Sequence, residues 1–137
     1  MKYVVIIFAF ILSFASCDSY KSAAPTSTLE ENDTIRIKND SLEYEILIIE
    51  PGFYNWLATQ QPRGYYGQQF LEARNQMWVM EYNRRVLNPQ QFDPNLYVQQ
   101  INYEFGVDYG YEVNYLLYNY LKYFQRTYNQ KFPGSRL

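Results

Sequence analysis

Arg74, Glu81 and Arg85 are the residues whose spacing looks most like a site. Steps of seven and four set them on one narrow stripe of a helix, because side chains three, four and seven apart share a face. Guanidinium groups held that way can grip a carboxylate, a phosphate or a partner's side chain through paired N–H bonds. The same spacing also builds an internal ladder of ion pairs. The stripe is therefore a candidate binding site with a structural alternative.

Other chemistries find less material. The chain has no His and one Cys, so no Ser-His-Asp or Cys-His nucleophile and no His-ligated zinc can form. Outside the terminal segments the hydroxyls are Thr34, Ser41, Thr59 and Thr127, none beside an identifiable base. A Ser-Lys pair would have to join Ser41 to Lys38, Lys122 or Lys131. Glu43, Glu45, Glu50, Glu81, Glu104, Asp108 and Glu112 could supply the acid and base of a glycosidase. Exposure on a strand accounts for Glu43 and Glu45, however, and helix capping for Asp108 and Glu112. The glycines match no dinucleotide or phosphate loop. With 12 basic and 14 acidic side chains, there is no cationic excess for nucleic acid to use. No catalytic residue, metal-ligand set, cofactor or nucleic-acid partner is expected.

A stripe of this kind needs a long helix, and 66–87 supplies one. It contains no Pro, carries Arg84 and Arg85 where cations favour the helix dipole, and stops at Asn88-Pro89. Phe70, Ala73, Met77 and Met80 fall on one side of it, Leu71, Trp78 and Tyr82 on another, and the charged stripe runs between. Upstream, Thr34-Ile35-Arg36-Ile37 alternates, Asn39-Asp40-Ser41 has turn chemistry and 44–49 is an apolar run, which together predict a hairpin. The unbroken 46–49 run predicts a strand covered on both faces.

A short helix is expected over 53–59, an irregular loop over 88–95, and a third strand over 96–104 with Tyr97, Ile101 and Tyr103 inward. Asp108 caps a final helix with Val113, Leu116, Leu117, Tyr120, Leu121 and Phe124 as its apolar stripe and Glu112, Asn119, Lys122 and Arg126 opposite. The order predicts an α+β domain: a small, mostly antiparallel sheet, hairpin plus one strand, covered by two long helices and one short helix. Half of the 16 Tyr are expected to line its core. The rest suit a sugar-stacking platform or a protein interface.

The amino terminus reads as an address. Met1-Lys2, the uncharged apolar run 3–14 and the small pair Ala15-Ser16 before Cys17 follow the order of a signal peptide, and the run falls short of the roughly 20 apolar residues of a membrane span. It resembles the bacterial lipoprotein signal, in which the leader, here 1–16, is cut before a Cys that takes the lipid. Cys17 is then the attachment point. Residues 17–33 read as a flexible tether, about 16 residues spanning roughly 20–25 Å. Residues 34–132 form one domain, and 133–137 a disordered tail. Asp33-Thr34-Ile35 and Asp40-Ser41-Leu42 resemble the O-glycosylation acceptor of Bacteroidota envelope proteins, which makes Thr34 and Ser41 candidates. Turn and strand chemistry explains the same residues.

Taken together, several stretches resemble an uncharacterised family of Bacteroidota lipoproteins known as a domain of unknown function. They are Leu42-Glu43-Tyr44-Glu45, Glu50-Pro51-Gly52-Phe53, Trp56-Leu57, Pro62-Arg63-Gly64, Arg74-Asn75, Glu81 with Asn83-Arg84-Arg85-Val86, and 108–120. The resemblance implies a lipid-anchored envelope protein and carries over no catalytic residue. The expected function is a non-enzymatic lipoprotein, held in the outer membrane facing the periplasm, that binds another envelope protein through Tyr-rich and Arg-containing surface. Glycan or peptidoglycan binding is the alternative, and a carboxylate glycosidase a third reading.

Overall fold

A computed structural model describes residues 33–136. The leader, Cys17 and the tether up to residue 32 lie outside the described residues. Strands β1 (Thr34–Asn39) and β2 (Tyr44–Ile49) form an antiparallel pair, followed by α1 (Phe53–Leu57), α2 (Gln68–Val86) and α3 (Gly110–Thr127). The fold is α+β, with two long helices and one short one.

The hairpin forms where the alternation places it. Asn39 accepts a bond from the Ser41 amide at 2.9 Å, and Glu43 turns the chain in the left-handed region at φ 52°. The register pairs Ile35 with Ile48 and Ile37 with Ile46. One face is covered, contrary to the expectation from the apolar 46–49 run. Ile35 and Ile37 are fully buried, whereas Leu47 and Ile49 are 49% and 58% exposed on the outer face. The reason is topological: α3 packs on β1, α2 packs on α3, and α1 also packs on α3, so among the described residues no helix packs on the outer side.

Helix α3 is the middle layer. Residues 113–121 are buried all round, Asn114 and Asn119 included, so Asn119 leaves the solvent face predicted for it and bonds the Tyr115 carbonyl at 2.9 Å. Helix α2 gives α3 its Leu71, Asn75, Trp78, Val79 and Tyr82, with Trp78 stacked on Tyr118 at 5.3 Å between ring centres. Of the two apolar sides expected for α2, this one enters the core; of the other, Met77 packs against the core while Phe70 and Met80 stay exposed. Tyrosine hydroxyls then tie the irregular segments down. Those of Tyr44, Tyr111, Tyr115 and Tyr123 donate to the carbonyls of Asn102, Tyr66, Gln61 and Pro51.

Two further expectations are corrected. The strand over 96–104 does not form, although Tyr97 and Ile101 are buried as predicted. Asn83 of α2 brackets Ile101, accepting from its N–H and donating to its C=O at 2.8 Å each, so one amide side chain does what a neighbouring strand would do. The apolar pattern recorded burial, and β pairing did not follow. Likewise 133–136 is no disordered tail. Phe132 is buried, Trp78 Nε1 donates to the Pro133 carbonyl at 3.0 Å, and Arg74 reaches the Gly134 carbonyl at 2.9 Å.

Candidate functional site

The charged stripe on α2 converges on the carboxy-terminal segment of its own chain. Arg85 donates to Glu81 at 2.7 Å, to the Tyr97 hydroxyl at 2.8 Å, to Gln130 at 3.1 Å and to the Lys131 carbonyl at 2.7 Å, which uses four of its five N–H donors. Its guanidinium lies 4.8–5.7 Å from the ring centres of Phe132, Phe92 and Tyr97, and its side chain is only 11% exposed. Arg74 is separate from this cluster. It sits over Phe70 and holds Gly134. The stripe spacing thus aligns the three residues on one side of α2, but Glu81 takes Arg84 and Arg85 as partners, never Arg74.

Arg84, absent from the sequence stripe, is the cation that faces solvent. It grips Glu81 with two bonds of 2.8 Å while half of its side chain stays exposed. Hydrogen bonds from Arg84 and Arg85 hold the Glu81 carboxyl down to about 2, so Glu81 stays ionised at neutral pH and is unsuited to donate a proton. Glu50 has the opposite environment. It is buried, and burial raises its pKa, against a hydrogen bond from the Tyr128 hydroxyl at 3.0 Å.

The other carboxylates are dispersed. Glu45 pairs with Arg36 and Asp40 with Lys38, each at 3.2 Å, around a shallow hollow at the hairpin turn that Glu43 also lines. Glu112 is gripped by Arg63. Gln68 bridges Glu72 and Asp108 at 2.7 and 2.8 Å; Asp108 also accepts from the Gly110 N–H, but Tyr109 holds the N-cap position of α3 and no side chain caps it, so the cap expected of Asp108 does not form. Glu104 is exposed. Ser41 is exposed at the hairpin tip and Thr34 half-buried in β1.

What is open is the outer face of α2. Two hollows flank Met80. One, of about 570 Å³, is lined by Gln76, Val79, Met80, Asn83, Arg84, Leu87, Tyr103 and Phe105. The other, of about 350 Å³, runs between Ala73, Met77 and Met80 and the docked Pro133, with Glu81 and Arg84 at its edge. Met80, Leu87 and Phe105 are 70%, 67% and 86% exposed. The signal that could have found this face was the second apolar side of the helix, Phe70, Ala73, Met77 and Met80, more apolar surface than one core contact needs. Tyrosine contributes little to it. Tyr44, Tyr82, Tyr97, Tyr109, Tyr115, Tyr118 and Tyr120 are buried, and among the described residues only Tyr65 and Tyr128 are exposed.

Among the described residues, no helix is long and apolar enough to cross a membrane. No curated protein and no solved structure matches the chain. The chain belongs to a family of unknown function (DUF6146), which it matches over residues 2–136.

Proposed function

We propose that the chain is a non-enzymatic lipoprotein of a Bacteroidota envelope, attached through Cys17 after loss of 1–16, whose domain docks another envelope protein on the outer face of α2. The tether of 17–33 lets the domain stand off the outer membrane on its periplasmic side. The observation that carries the reading is the trio Met80, Leu87 and Phe105. Large apolar side chains gathered at one hollow and left in water mark a contact surface more often than a free one. The half-exposed Arg84, with its bidentate grip on Glu81, supplies the polar rim that such surfaces have.

A photo-reactive residue at position 80 of the full chain, expressed in its native envelope, tests the docking. One identified protein adduct from position 80, missing from exposed Gln99 used in the same way, supports the reading. The same mixture of adducts from both positions, or none from position 80, removes it. Lipid attachment has its own readout: Cys17→Ser should lose the acyl mass and leave the membrane fraction.

Glycan binding keeps one specific observation. Tyr65 stands exposed with its ring edge on Tyr66, which stacks on Phe70 at 4.7 Å, a ledge of aromatic faces of the kind sugars use. Calorimetry with peptidoglycan fragments and envelope glycans tests it. Heat that disappears in Tyr65→Ala supports this second reading, and silence across the panel ends it.

A further inference from the structure

We propose that the edge of β2 left unpaired by the described residues pairs with the same edge of a second copy of this chain, joining two hairpins into one four-stranded antiparallel sheet. The contact lies on the other side of α3 from the α2 face, and it does not depend on the docking reading above.

The phase of the hairpin fixes which groups are free. Glu50 N–H donates to the Asp33 carbonyl at 2.7 Å, so the pairs Ile35–Ile48, Ile37–Ile46 and Asn39–Tyr44 exchange backbone bonds and the alternate pairs do not. The N–H and C=O groups of Glu45, Leu47 and Ile49 therefore point away from β1, and those of Thr34, Arg36 and Lys38 point away from β2. No backbone or side-chain bond reaches Glu45, Leu47 or Ile49 from the described loops and helices.

The two edges are not equivalent. Pairing β1 with itself about a two-fold axis at Arg36 would set Arg36 against its own copy, the like-charge contact that guards natural edges. Pairing β2 about Leu47 sets Leu47 against Leu47 and Glu45 against Ile49 on either side, giving three pairs that exchange two backbone bonds each. The two Glu45 carboxylates stay four residues apart along the sheet, about 13 Å, and each keeps its own Arg36 at 3.2 Å. Leu47 of each copy then covers the other. Charge thus favours a second copy centred on Leu47 of β2 over one centred on Arg36 of β1.

Light scattering on the size-fractionated full chain, carrying Cys17→Ser so that lipid and native thiol drop out, tests the pairing. The expected mass is twice that of one chain, halved by Leu47→Lys with an unchanged far-ultraviolet circular dichroism spectrum. Oxidation adds the register: Leu47→Cys in that background should give a disulfide-linked dimer and Arg36→Cys should not. A single-chain mass for the parent protein, a dimer that survives Leu47→Lys, or equal linkage from both positions would overturn the proposal. So would a Met80→Lys variant that becomes monomeric, because the contact would then lie on α2.

Discussion

The seam at Arg85 and the hollow at Met80 lie one or two helical turns apart on α2, and they reverse what their residue types suggest. The seam holds the charge and the hydrogen-bonding power, yet its guanidinium is nearly saturated by Glu81, Tyr97, Gln130 and Lys131. The hollow holds little charge and has apolar side chains facing water. A strong binding group near the carboxy terminus was used to close the fold, because a desolvated cation needs its partners in place before any ligand arrives. Apolar surface is left where none of the described segments is laid down.

Substitutions at the two places should therefore differ in kind. Phe132→Ala empties a fully buried position that stacks on Phe124 and should cost about 3–5 kcal/mol in urea unfolding. Arg85→Ala should cost about 2–3 kcal/mol, less than loss of a fully buried ion pair because Glu81 retains Arg84. Amide exchange over 130–135 should accelerate with it. Were Arg85→Ala to leave stability intact and abolish the adduct at position 80, seam and hollow would be one site.

Acid titration sharpens the contrast. Glu81, with its folded pKa held at about 2, contributes stability that is present above 4.5 and is lost as pH falls from 4.5 towards 2. Glu50, raised above 4.5, works the other way: the native state takes up its proton first, so the domain gains stability as pH falls through the Glu50 folded pKa to 4.5. Thermal scans should then show a maximum near pH 4.5. Glu50→Gln should stabilise the domain at neutral pH and flatten the alkaline side of that maximum only. The smallest effect is expected at the hollow, where Leu87→Lys should change stability by no more than about 0.5 kcal/mol while removing the adduct formed from position 80.

Much of this was legible in the residues. The hairpin, its turn and both long helices follow from alternation, period and turn chemistry. The third strand was misread, because Tyr97, Ile101 and Tyr103 suit a strand pattern and nothing local reveals that Asn83, 18 positions away from Ile101, supplies the backbone partners. The tail was missed for a related reason. Pro133, Gly134 and Ser135 look like a flexible end, and their order comes from Trp78, Arg74 and Arg85 on a distant helix. Seven-residue spacing brought Arg74 and Glu81 to one side without bringing them together, since spacing fixes direction and tertiary partners fix pairing.

The tyrosine hydroxyls that reach loop carbonyls have a consequence for how the domain responds to redox conditions. The four ties close stretches of 45 to 72 positions, the long-range closures for which small exported domains ordinarily use cystine. A phenol on a carbonyl has no redox chemistry to lose. Burial keeps two of these phenols protonated well past neutrality, with Tyr44 and Tyr115 both raised chiefly by desolvation. Protease resistance of the domain should accordingly be the same in reducing and oxidising buffer, and it should begin to fail above pH 10.0, where the phenols of Tyr44 and Tyr115 ionise in the unfolded chain before they do in the fold.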